Sequence, residues 1–249
     1  LDNLQQIEVV DTNISDDALR HLSTLTNLQY VRLTRTLVTD AGFEHLATLT
    51  KLQGINLSGT DVTDDGVQHL AALDKLRVVI LVDTQVTGEA LRHLSELSNL
   101  EKLDLEYTQV TDDGFRYLRA PTKLKHLYLD GTKITDGALL QICNFSELES
   151  VSLADTQVTD AGLADLDALT SLERLILNDT PVSDAGLEVL SRCPALRTLE
   201  LKNTRVTDAG LKYLYGLPRL RTIHLEGTQV TDAGEEELQK RHRWMKIWR

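Results

Sequence analysis

The sequence predicts an α/β solenoid: one elongated stack of about ten identical-length units, with a parallel sheet on the concave side and short helices on the convex side of a right-handed arc. Three observations carry this. A leading leucine returns every 24 residues without insertion or deletion, as Leu4, Leu28, Leu52, Leu76, Leu100, Leu124, Leu148, Leu172, Leu196 and Leu220. Inside each unit the apolar period changes from two to a helical spacing. A Thr/Ser-Asp pair marks the change in nine of the ten units, failing only at Thr87-Gly88. A unit this short cannot bury its apolar face alone and must stack on its neighbours. The right hand follows the general rule for parallel crossovers.

The unit Leu148–Ser171 shows each element in turn. Val151-Ser152-Leu153 alternates apolar and polar residues, the period of a half-buried strand. Leu163, Leu166 and Leu169 then fall on one side of a short helix or 3₁₀ segment. Between them Thr159-Asp160 reads as a helix start, with a threonine N-cap and a carboxylate facing the positive end of the helix dipole. Outward-looking residues flank the inward ones, here Ser150, Ser152 and Ala154.

Written generally, the unit is L-x-x-L-x-L-x-x-T-x-V-T-D-x-G-L-x-x-L, which resembles the leucine-rich repeat. The subtype with T-D-x-G-L is similar to the cysteine-containing repeats of F-box-type receptors and to many bacterial repeats. No F-box-like segment precedes the repeats, so the resemblance does not extend to a ubiquitin-ligase component. The family's loop residue is usually Asn or Cys; all ten loops here carry threonine, from Thr12 to Thr228. A buried hydroxyl can still satisfy the backbone groups of the turn.

Length and period together predict a single domain over residues 1–249. Residues 1–3 are the remnant of a preceding repeat, with Leu1 in that repeat's last apolar slot, which predicts a longer parent protein. Residues 235–249 are a degenerate capping repeat, in which Trp244 and Ile247 hold the strand register and cover the open end of the core. The net charge of −12 includes nine acids at the helix starts and offers no basic footprint for nucleic acid. No apolar run reaches the length of a membrane span, and no signal peptide is visible, so the sequence assigns no compartment. A monomer is expected.

Two features invite a chemical reading. His21, His45, His69 and His93 share one slot, which Tyr117, Gln141, Asp165, Val189, Tyr213 and Glu237 fill in later units. They read as the solvent edge of the helical side rather than a metal site, the helices being too widely spaced for shared coordination. Cys143 and Cys193 occupy repeat slots without zinc spacing and are expected to be reduced packing residues. No cofactor or metal is implied.

The outward strand positions point to a partner. Val78, Ile80 and Val82 should stand exposed in a row, beside Lys102, Asp104, Glu106 and Tyr107 and then His126, Tyr128 and Asp130. An apolar patch rimmed by charge and tyrosine suits a protein partner, and the acids suit one with a basic element. A rival reading makes Asp104, His126 and Asp130 an acid–base group. No Ser or Cys nucleophile accompanies them and an open sheet excludes little water, so no enzyme is expected. A further alternative is a structural spacer within a longer protein.

Overall fold

The computed structural model describes residues 3–119 and 123–249, and Leu1 lies outside them. The chain divides into two compact units, Leu1–His126 and Leu127–Arg249. Short strands alternate with short helical segments along the chain. The first unit holds β1 (Gln6–Val10), β2 (Tyr30–Thr34), β3 (Gly54–Asn56), β4 (Val78–Ile80) and β5 (Lys102–Asp104). The division falls at β6 (His126–Tyr128). The second unit continues with β7 (Ser150–Ser152), β8 (Arg174–Ile176), β9 (Thr198–Glu200), β10 (Thr222–His224) and β11 (Lys246–Trp248). Within each unit the strands pair in parallel and in chain order, residue against residue 24 positions on, as Ile55 with Val79 and Leu175 with Leu199.

That register makes columns of like residues. The leading leucines from Leu28 to Leu220 are all 0 % exposed, as are Val79, Leu103, Val151 and Leu175 at strand centres. Such layers need only one shape of side chain, which explains leucine's dominance and the scarcity of aromatic rings. Each loop threonine from Thr36 to Thr228 donates its hydroxyl to the carbonyl of the leucine three residues earlier, at 2.6–3.0 Å. The threonine thus closes the turn of its own unit. Immediately before it, every unit places a residue in the left-handed region, with φ from 51° to 72°. Gly59, Gly131 and Gly227 take this conformation freely, whereas Arg35 and Tyr107 adopt it against the interest of their Cβ atoms.

The helical segments are as short as the spacing requires. Some are α-helical, as Asp184–Leu190, and some 3₁₀, as Gly162–Ala168. The threonine or serine before most of them accepts a hydrogen bond from the backbone two residues on, as Thr159 does from Ala161. The following aspartate does more than face a dipole. Asp64 Oδ1 accepts the backbone N–H of Thr87 in the next unit at 2.8 Å, and Oδ2 accepts its hydroxyl at 2.6 Å. The same pair of bonds joins Asp16 to Thr39, Asp40 to Thr63, Asp136 to Thr159, Asp160 to Ser183, Asp184 to Thr207 and Asp208 to Thr231. The motif's glycine makes room for this carboxylate: a Cβ on Gly66 would stand 2.4 Å from Asp40 Oδ1. T-D-x-G is therefore a staple between units.

The C-terminal end departs from expectation in one respect. β11 pairs with β10 in the expected register, Ile247 opposite Ile223. Trp244, however, is 87 % exposed and covers nothing. The last helix runs to Arg241, so the turn falls at 243–244, one residue later than 242–243, the place that the turn at 218–219 and the 24-residue repeat would give it. Trp244 sits in that turn, and Met245 takes the buried place. Trp248 stacks its ring on His224, with centroids 5.8 Å apart.

Candidate functional site

Eight of the ten residues singled out from sequence lie in the first unit: seven on the side of β4 and β5 that faces away from the leucine core and on the loops that follow, and His126 at the start of β6. Val79 and Leu81 are fully buried, so Val78, Ile80 and Val82 turn outward as the alternation requires. They are half-buried rather than fully exposed, because neighbouring columns stand only about 4.8 Å away. Asp104 is 8 % exposed and lies 3.8 Å from Lys102 Nζ, so it is a covered, partnered acid rather than a free one. Glu106 is half-buried beyond it. Tyr107 is 57 % exposed on its left-handed backbone, with φ 57°. The Nδ1 atom of His126 is buried and has no hydrogen-bond partner among the described residues.

Tyr128 and Asp130 belong to the second unit. Tyr128 is half-buried there. Asp130 accepts the hydroxyl of Ser152 through a short bond and the N–H of Ala154 at 2.9 Å, so its carboxylate holds its own unit together. Ser150 and Ser152, expected to look out, are 6 % and 0 % exposed. Their side chains are too short to rise above longer neighbours.

The structure adds residues the sequence reading passed over. Beside β4, Gly54 stands in the same column as Tyr30 and Val78 but offers no side chain. The result is a recess of about 300 Å³ on the outward face, lined among others by Ile7, Tyr30, Gly54, Asn56, Val78 and Ile80. Tyr30 is 42 % exposed and leans over it: a Cβ on Gly54 would meet the Tyr30 ring at 2.7 Å. Setting out the column Gln6, Tyr30, Gly54, Val78, Lys102 from sequence would have revealed the gap. On one side of the recess Arg32 is paired with Glu8 at 2.8 Å, and on the other stands the Lys102–Asp104 pair.

The remaining candidates are quieter. His45, His69 and His93 are half-buried and His21 is exposed, each on its own helical segment. Among the described residues no group of three or more His, Cys, Asp or Glu is placed to hold a metal ion. Cys143 and Cys193 are both free thiols, and burial pushes each up to about 11. Among the described residues no helix is long and apolar enough to cross a membrane.

A family model described as Leucine Rich repeat matches residues 48–71, 96–118, 168–191 and 192–214. No curated protein matches the sequence. Among solved structures, a leucine-rich repeat protein of Leptospira interrogans superposes with a TM-score of 0.72 at 18 % identity, over 98 % of this chain. The chain spans 60 % of that protein's length. An internalin of Listeria monocytogenes gives 0.64 at 19 % identity, over 98 % of this chain and 86 % of its own. Internalin C2 of the same organism gives 0.62 at 24 % identity, over 79 % and 80 %.

Proposed function

This chain is a leucine-rich repeat protein, and on that premise we propose that it is a non-catalytic scaffold whose outward sheet face in the first unit binds a protein partner. Leucine-rich repeats generally serve as protein-binding scaffolds, and stacked repeats present extended surfaces for the purpose. The observation that carries the reading is the run Val78, Ile80 and Val82 on the side of β4 turned away from the core. Nothing in the stacking of repeats needs apolar side chains there. Tyr30 and Tyr107 flank the run as large exposed amphipathic groups of the kind that anchor interfaces. Tyr107 also holds a backbone conformation that a glycine would adopt at lower cost, which supports selection for its ring. Lys102, Asp104, Glu106 and His126 complete the proposed contact area, and the acids favour a basic element in the partner and a faster encounter.

The protein itself acts as a monomer in this reading, and neither nucleic acid nor a membrane is its target. The test is affinity capture with the immobilised chain, followed by capture with Ile80→Asp. Loss of the captured protein from the variant, with the circular dichroism spectrum unchanged, supports the reading. Full retention by a folded Ile80→Asp sinks it.

A further inference from the structure

The recess at Gly54 is the width of one missing side chain, and its surroundings say what would fill it. Its volume of about 300 Å³ lies at the bottom of the range of roughly 300–1,000 Å³ for pockets that take whole small ligands. Two polar groups at its edge, Arg32 and Asn56, are already engaged within the chain. Arg32 bonds Glu8 and the hydroxyl of Thr34, and Asn56 Oδ1 accepts from the N–H and hydroxyl of Ser58 at 3.0 and 2.7 Å. Among the described residues no set of donors or acceptors converges on the recess to orient a polar ligand. What it offers is the apolar surface of Tyr30, Val78 and Ile80, with a tyrosine ring that can pack on another ring. The charges beside it largely cancel in the pairs Arg32–Glu8, Arg35–Asp11 and Lys102–Asp104, and Asp83 and Glu106 on the loops after β4 and β5 tip the balance to negative.

We propose that the partner inserts one aromatic side chain into this recess, from a segment carrying lysine or arginine on either side of it. This rests on the sheet-face reading and names the chemistry of the partner: a basic peptide segment with a single phenylalanine-like anchor. The anchor buries its ring between Tyr30 and Val78, over the backbone of Gly54. The flanking cations meet the acids on the loops after β4 and β5. Depth of burial sets the affinity, and the cations set the rate of encounter and its dependence on salt.

The probes are three blocked pentapeptides titrated into the full chain: Lys-Lys-Phe-Lys-Lys, the same with alanine at the centre, and Glu-Glu-Phe-Glu-Glu. Methyl resonances of Val78 and Ile80 report the binding. The phenylalanine peptide with lysines should bind about ten-fold or more tightly than either control, the gain expected from burying one ring. Gly54→Leu fills the recess and should erase the preference for phenylalanine over alanine; the Tyr30 side chain can swing away to admit it. Tyr30→Ala, which cannot overcrowd the site, should weaken the same preference. Equal binding of the phenylalanine and alanine peptides, or an undiminished preference in folded Gly54→Leu, overturns the proposal. If that happens while Ile80→Asp still abolishes capture of the partner, the recess is refuted and the sheet-face reading stands. If Ile80→Asp leaves capture intact, both fall together.

Discussion

The outward sheet faces of the two units share one register and one repeat length, yet they differ in chemistry. In the second unit the face is closed by its own polar contacts. Arg174 pairs with Glu200 at 2.5 Å, Asn178 bonds the same carboxylate at 3.0 Å, and Lys202 pairs with Glu226 at 3.2 Å. In the first unit the corresponding space between the Glu8–Arg32 and Lys102–Asp104 pairs is occupied by Gly54, Val78 and Ile80, which have no polar group to spend. Beneath both faces the buried columns are nearly interchangeable. The difference teaches that the repeat fixes a backbone and the outward columns are written on it separately, so fold and binding can be altered one at a time.

The largest effect expected tests the sameness underneath. Leu81 and Leu177 occupy one slot in different units and are both 0 % exposed. Replacing either with alanine should cost about 2–5 kcal/mol, by similar amounts, in denaturant melts that follow both units. A large cost at Leu81 and none at Leu177 would break the claim that the two cores are equivalent.

A smaller effect separates the staple from the faces. Asp64 joins Thr87, whereas Gly88, the one unit lacking the aspartate, leaves Thr111 without that carboxylate. There the chain has partly closed up: a Cβ on Gly114 would meet Gly88 Cα at 2.6 Å. Asp64→Ala should therefore cost about 1–3 kcal/mol, since three charge-assisted bonds go, from the N–H and hydroxyl of Thr87 and the N–H of Ala90. Gly88→Asp should return less, because its own Cβ would stand 2.9 Å from Gly114 Cα. Thermal melts of the two variants decide this, and a gain from Gly88→Asp equal to the loss from Asp64→Ala would mean that the closure stores no strain.

Tyr107→Gly should stabilise the chain by about 1 kcal/mol, as the left-handed position loses its Cβ, while weakening partner binding. That opposition of stability and binding, measured on one variant, sharpens the contrast between scaffold and surface. The mildest prediction concerns the thiols of the second unit. Burial raises both thiols to about 11, so the folded state holds protons that the unfolded chain releases near 9. Their contribution to stability is intact below pH 9 and declines as the pH rises towards 11. Alkylation at pH 8 should be far slower in the native protein than in urea. Equal rates would place the thiols outside the packed layers.

Almost all of the fold was legible because it rests on repetition: a column of leucines at a spacing of 24 has one way to be buried. The alternation also placed Ile80 outward and Leu81 inward correctly. What escaped were effects of neighbours on one another. Asp104 is covered, Ser152 is shut in, and Gly54 opens a recess, because exposure on a sheet depends on the lengths of the side chains one column away. Trp244 escaped for a different reason: the turn before the last strand slips by one residue, which no apolar pattern announces. The second role of the aspartate was hidden because its partner lies 23 residues ahead.

The most direct measurement compares Ile80→Asp with Ile176→Asp, which hold the equivalent outward strand position each in its own unit. Both side chains are half-buried, so both variants should stay folded. Partner binding, read as a dissociation constant by calorimetry with the captured protein, should be abolished by Ile80→Asp and unchanged by Ile176→Asp. Equal losses from both, or a loss from Ile176→Asp alone, would contradict the assignment of function to the sheet face of the first unit.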